Sequence, residues 1–251
     1  MLVGLILAGA DNDGLLKEIS DASNEALIPI NGKPMITYMI ESLQKAKDIE
    51  RIVVVGPKDE LQKIHPEVEV IQNQGSILDN LSKGLTYLQN QEFILILTSD
   101  IPMITQEALT DFIRRCSQRA GDVYYPINSK ETSEAKFPGV KRTYIRVKDG
   151  TFTGGNVFLV RTEAAIRSLP KTKDFIAMRK KPLKLVAILG LSFIIRFLTK
   201  TLTIRAAENR MSQILGLRAV AIISPYAEIG VDIDKPEDLH IAEKMLAEKV
   251  L

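Results

Sequence analysis

Leu2-Val3-Gly4-Leu5-Ile6-Leu7 is a run without a charge, and Ala8-Gly9-Ala10-Asp11-Asn12-Asp13-Gly14 follows it as a polar loop. A strand with no polar alternation is buried on both faces, as in a parallel sheet covered by helices on either side. A glycine-bearing loop leaving the end of such a strand can turn its backbone N–H groups toward an anion, usually a phosphate. Further on, Leu27-Ile28-Pro29-Ile30-Asn31-Gly32-Lys33-Pro34-Met35 opens a helix on which Ile36, Met39, Ile40 and Leu43 recur at helical spacing. This segment predicts a nucleotide site at the carboxyl end of the first strand.

The pattern continues outward. Strands are expected at 52–55, 68–71 and 93–97, with a helix from Ser76 that carries Ile77, Leu81, Leu85 and Leu88 on one stripe. Ser76 with Asp79 forms a capping box, and Thr105 caps the helix after the fourth strand. Beyond it, strands at 123–126, 143–147 and 157–160 lack long helices between them, which predicts a mixed sheet. Residues 162–216 read as helical, 219–223 as a late strand, and a last helix starts near Pro236. The expected fold is α/β: a three-layer α/β/α arrangement with a mixed, mostly parallel sheet. It forms a single domain over residues 1–251, with a helical insertion at about 162–217.

A chain of 251 residues with a net charge of +2 is ordinary for a globular α/β protein and unlike a bulk electrostatic nucleic-acid binder. No nucleic-acid partner is expected. The single cysteine, Cys116, cannot form an internal disulfide. With no basic, signal-like amino terminus, this points to a cytoplasmic protein.

Several polar positions stand out. Asp100, in Thr98-Ser99-Asp100-Ile101-Pro102, ends the fourth apolar strand, where open α/β sheets bind ligands. A carboxylate there suits a hard divalent ion such as Mg²⁺. Asp232 and Asp234 precede the last helix. Asp234 fits the role of its cap, which leaves Asp232 as a second metal ligand. Lys141 and Arg142 follow the turn Phe137-Pro138-Gly139-Val140 and point to an anionic acceptor. Gly154-Gly155-Asn156 precedes an apolar strand and is read either as a close approach to a ligand, through Gly155 and Asn156, or as a bulge.

Together these pieces resemble the MobA-like NTP transferases, within the nucleotide-diphospho-sugar transferase fold. The resemblance rests on 5–10, 26–34, Ser99-Asp100-Ile101-Pro102 and the Asp-x-Asp-x-Pro-Glu-Asp-Leu run at Asp232. It implies a nucleoside triphosphate over the first loop, met by Ala8, Gly9, Ala10 and Gly14. Asn80 and Gly75 lie on the base side, and Mg²⁺ is held by Asp100 and Asp232. It further implies a small phosphorylated acceptor that attacks the α-phosphate with release of pyrophosphate. Similar proteins often carry Lys immediately before Ala-Leu-x-Pro. Here that residue is Glu25, so the catalytic cation is expected from Lys17 or Lys33. Two alternatives stay open: a glycosyltransferase using a nucleotide sugar, which a lone acid at Asp100 disfavours, and a weakly catalytic nucleotide-binding module, which Glu25 favours.

Residues 161–217 fall outside the resemblance. The apolar run 185–198 follows Lys180-Lys181-Pro182-Leu183-Lys184 and is too short to span a bilayer. The expectation is a segment buried against the core, over the acceptor side of the site, or against a second copy in a homodimer. A membrane-surface helix with basic flanks is the less favoured reading.

Overall fold

In the computed structural model, which describes residues 1–178 and 182–248, the first apolar run is strand β1 (Leu2–Leu7). The chain continues through β2 (Pro29–Ile30), β3 (Lys33–Pro34), α1 (Met35–Lys45), β4 (Ile49–Gly56), α2 (Lys58–Ile64), β5 (Glu69–Gln72), α3 (Ile77–Tyr87), β6 (Phe93–Thr98) and α4 (Gln106–Ser117). The second half runs β7 (Val123–Ser129), α5 (Lys130–Lys136), β8 (Ile145–Val147), β9 (Gly150–Gly154), β10 (Val157–Arg161), α6 (Thr162–Met178), α7 (Pro182–Leu189), α8 (Leu191–Leu198), α9 (Ile204–Leu215), β11 (Ala219–Ile223) and α10 (Pro236–Glu248).

The main sheet has the order β5-β4-β1-β6-β10-β7-β9-β8, with β11 added parallel to β7. Strands β5, β4, β1 and β6 are mutually parallel, whereas β10 runs antiparallel to both β6 and β7. The sheet is therefore mixed and mostly parallel, as expected.

Side-chain alternation separates the two covering layers. Ile6, Val54, Leu95 and Leu97 pack with Met39, Ile40 and Leu43 of α1 and Phe112 of α4. Leu5, Leu7, Val53, Val55, Ile94 and Ile96 face the other way, toward Leu85 of α3 and Ala165 of α6. Helix α3 approaches β1 so closely that a Cβ on Gly84 would lie 2.7 Å from Leu5. A third cluster packs Leu239, Ala242 and Leu246 of α10 against Ile28, Ile30 and Met35.

The capping box at Ser76 and Asp79 and the cap at Thr105 are both formed. Strand β9 and the β2–β3 hairpin are elements the sequence pattern did not reveal. Gly150-Thr151-Phe152-Thr153-Gly154 has weak alternation and a glycine at either end, so it carries little strand signal of its own. It becomes a strand by pairing with β7 and β8.

The insertion departs from expectation. Helix α6 packs on the face of α3, and α9 lies beside β11, its Glu208 bonded to Arg119 and to the Ala221 N–H. Helix α8 buries none of its residues, so it is not covered by the core. Burial against the core was one of the expected placements of its apolar residues, and a second copy was another. Gly190, at φ +86°, separates α7 from α8. Lys180 and Lys181 lie outside the described residues.

Candidate active site

The rim at the carboxyl ends of β1, β4 and β6 gathers the polar loops. Ser99 donates its N–H to Leu7 at 3.2 Å, which fixes the loop after β6 against the end of β1. Because β10 is antiparallel, the residues before it share this rim: the Thr98 N–H reaches Asn156 at 3.3 Å. The Ile233 N–H donates to the Asp100 carbonyl at 2.9 Å and draws in the segment ahead of α10.

The result is a trio of carboxylates. One oxygen each of Asp100, Asp232 and Asp234 lie within 4.8 Å of one another. Burial, followed by the charges of Asp232 and Asp234, outweighs a hydrogen bond from the Thr98 hydroxyl and pushes the Asp100 carboxyl up to about 7. Asp234 is also raised, by burial first and then by Asp232 and Asp238. Like charges held this close are unfavourable unless a cation joins them, and hard oxygen donors in this number suit Mg²⁺.

Among the described residues the Asp234 carboxylate accepts no N–H of the last helix, contrary to the sequence expectation. Asp238, on the first turn of α10, reaches back to accept the Asp234 N–H at 3.3 Å, while the Asp234 carboxylate joins the trio. Asp234 is thus a site residue that the sequence reading assigned elsewhere.

Arg142 enters the cluster through an ion pair with Asp232 and donates to the Gly154 carbonyl at 3.4 Å. Its guanidinium is 12% exposed, whereas Lys141 faces solvent. The two expected acceptor residues therefore separate, and Arg142 alone meets the trio. Gly155 is required for packing: a Cβ there would lie 2.8 Å from the Ile229 carbonyl oxygen. Asn156 donates its N–H to that same carbonyl, yet its side-chain Nδ2 is buried without a partner among the described residues. An unmet buried donor costs about 1–3 kcal/mol, which a ligand or water would offset.

On the nucleotide side, Ala8 is buried, Gly9 half-buried and Ala10 exposed. The carbonyls of Ala8 and Ala10 accept from Asn24 Nδ2 at 3.0 Å and from the Glu25 N–H at 3.1 Å. The N–H groups of Gly9 and Ala10 meet no acceptor among the described residues. A Cβ on Gly9 would stand 2.3 Å from Asn80 Nδ2, so Asn80 lies directly over Gly9. The Oδ1 of Asn80 accepts the Gln74 N–H at 2.7 Å and joins the two loops. Gly75, at φ +59°, takes a left-handed turn that other residues resist. Lys173 of α6 secures this loop by pairing with Asp79 at 2.9 Å, and Ser76 and Lys173 hold the Asp79 carboxyl down to about 2.

The cations expected for catalysis are placed differently. Lys33 pairs with Glu41 at 2.6 Å and lies over the Tyr38 ring, on the outer side of α1. Lys17 is exposed on a short 3-10 turn after Gly14 and has no ion-pair partner among the described residues. Glu25 lies beside Gly14, where a Cβ would come within 3.9 Å of its carboxylate. Burial, then Asp234 and Asp13, raise its carboxyl above the usual range. It therefore faces the acid cluster.

Comparison with known proteins places the chain among nucleotidyltransferase-like relatives. A 2-C-methyl-D-erythritol 4-phosphate cytidylyltransferase of Clostridium perfringens is 26% identical over 144 residues, covering 54% of this chain and 62% of that protein. A probable molybdenum cofactor guanylyltransferase of Thermococcus gammatolerans is 31% identical over 119 residues, covering 45% of this chain and 54% of that protein. The chain thus spans less than two thirds of the length of either relative. A solved structure, a hypothetical transferase from Thermus thermophilus, superposes with a TM-score of 0.83 at 32% identity, covering 95% of this chain and 99% of that one. A family model for the MobA-like NTP transferase domain matches residues 4–180, which extends through α6 and so includes the first helix of the insertion. With 4–180 matched and the rim loops in place, the chain belongs to the MobA-like NTP transferase domain family.

Proposed function

We propose that the protein transfers a nucleoside monophosphate from an NTP to a small phosphorylated acceptor, with Mg²⁺ and with release of pyrophosphate. The observation that carries this reading is the trio Asp100, Asp232 and Asp234 beside the Gly9–Asn80 loop contact. An acceptor phosphate oxygen forms a bond to the α-phosphorus, and the bond from that phosphorus to the bridging oxygen of pyrophosphate breaks. Held by Asp100 and Asp232 with Asp234, Mg²⁺ would neutralise phosphate charge. Gly9 and Ala10 offer their N–H groups to the phosphates, and Asn80 and Gly75 shape the base side. Arg142 pairs with Asp232, one of the carboxylates that would hold the ion, and so would share that carboxylate with it. Its guanidinium also reaches the Gly154 carbonyl, which places it next to Gly154–Asn156 to take the acceptor's phosphate. Most of the chemistry is positioning and charge stabilisation.

The test is a pyrophosphate-release screen of ATP, CTP, GTP and UTP against phosphosugars, phosphoalcohols and pterin phosphates, with and without Mg²⁺. Release that needs one NTP, one acceptor class and the metal is expected. Turnover of a nucleotide sugar with no pyrophosphate release would make the protein a glycosyltransferase instead.

One observation favours a second reading, a nucleotide-binding module. Glu25 faces Asp234 and Asp13 where a cation would serve a triphosphate better. Glu25→Lys is expected to tighten NTP binding ten- to hundredfold, on the order of a charge reversal at a few ångströms in a partly screened site. Isothermal calorimetry measures it. If binding tightens but pyrophosphate release stays absent with every acceptor, the binding module is the better account.

A further inference from the structure

From residue 175 to residue 207 the sequence carries seven Lys or Arg and no Asp or Glu, in a chain whose net charge is +2. Helix α8 lies inside this acid-free segment. Leu191, Ile195 and Leu198 recur at i, i+4 and i+7, so they form one stripe, and they are 68%, 51% and 70% exposed. Arg196, on the last turn of α8, and Lys200, just past its end, are exposed as well. The helix is held in place. The Arg210 guanidinium bonds the Ile188 carbonyl at the end of α7. Just beyond α8, buried Leu202 accepts the Lys148 N–H at 2.8 Å, and Asp149 accepts the Ile204 N–H at 2.9 Å.

An apolar stripe of this kind has few natural occupants. The core does not cover it, as α8 buries no residue. Among the described residues no helix is long and apolar enough to cross a membrane. A two-fold contact with a second copy would set one acid-free, basic segment against another, which like-charge repulsion disfavours. An anionic lipid surface supplies both missing partners, acyl chains for the stripe and phosphates for the cations. We propose that α8 and its basic flanks dock the protein on the surface of an anionic lipid bilayer. Leu191, Ile195 and Leu198 sink into the headgroup region, and Arg196 and Lys200 meet lipid phosphates.

Flotation with vesicles tests this. The full chain is mixed at low salt with vesicles of phosphatidylcholine alone or with phosphatidylglycerol added. Binding to the phosphatidylglycerol vesicles that weakens as salt rises is expected, with none to phosphatidylcholine. Two double variants, Leu191→Ser with Leu198→Ser and Arg196→Glu with Lys200→Glu, should each lower partitioning at least about tenfold. Their melting temperatures should not change, because the replaced side chains are exposed. Binding without preference for phosphatidylglycerol, or binding retained by both variants, overturns the proposal. So does a lipid-free dimer, seen by sedimentation velocity and dissolved by the leucine pair, which would assign the stripe to a second copy. Should either double variant melt early, Ile195→Ser alone provides the same comparison.

Discussion

Asp100→Asn should abolish Mg²⁺-dependent NTP binding while making the metal-free protein more stable. The wild-type carboxyl ionises near 7 in the folded protein, against the lower value usual for an unfolded chain. The folded state therefore holds that proton more tightly, and stability falls as pH rises from about 4 to about 7. Above pH 7 the loss is complete. An amide of the same shape never ionises, so its advantage is small below pH 4 and reaches roughly 2–4 kcal/mol at pH 8. Chemical denaturation at pH 4 and at pH 8 with a chelator present measures this difference. Millimolar Mg²⁺ should reverse the order, since ligand binding stabilises only the protein that retains the site. An Asn variant that loses stability at pH 8 without metal would show that the carboxylates are held together by something other than an awaited cation. Calorimetry showing unchanged metal-dependent affinity would remove Asp100 from the site.

Arg142→Ala should have the opposite signature. Arg142 is the cation found within the acid cluster, paired with Asp232 and largely shielded from water. Removing it leaves Asp232 beside Asp100 and Asp234 without compensation, at a cost of about 2–3 kcal/mol in the metal-free protein. For a domain of this size the melting temperature should drop by about 4–12 °C. Mg²⁺ should restore more of that loss than it adds to the wild type, because the ion no longer competes with the guanidinium for Asp232. Thermal melts with chelator and with Mg²⁺ decide the matter. An equal drop under both conditions would make Arg142 a structural residue that the ion never displaces. Arg142→Lys should recover the charge but only part of the stability, as it lacks the planar fork that also reaches Gly154.

How much of this was legible in the sequence depends on how far apart the partners lie. Uncharged runs such as those of β1 and β6 announce strands buried on both faces, and Ser76 with Asp79 announces its cap within four residues. Asp100 was legible because its position at a strand end has a meaning in any open α/β sheet. Asp234 was misjudged because local sequence proposes a cap, and only the tertiary approach of Ile233 to Asp100 shows where its carboxylate goes. The pairing of Lys33 with Glu41 was hidden in the same way. The Arg142–Asp232 ion pair joins residues that sequence reading considered one at a time, for an acceptor and for a metal. The exposure of α8 was not legible either. An apolar helix reads as buried from composition alone, whereas its exposure depends on which elements the finished fold sets beside it.

The backbone bond between Ile233 and Asp100 also has a consequence for biosynthesis. The chain leaves the ribosome amino terminus first, at about 5–20 residues per second. Strands β1, β4 and β6 pair with one another, so every residue of the Gly9–Asn80 contact is made well before residues 232–234. Two of the three carboxylates are not yet made at that stage. A chain that stops short of residues 232–234 lacks the Ile233–Asp100 bond and two of the three carboxylates, so its rim is incomplete. Arrested chains ending before and after that segment should differ sharply in protection of the β6 end from proteolysis when Mg²⁺ and nucleotide are supplied together.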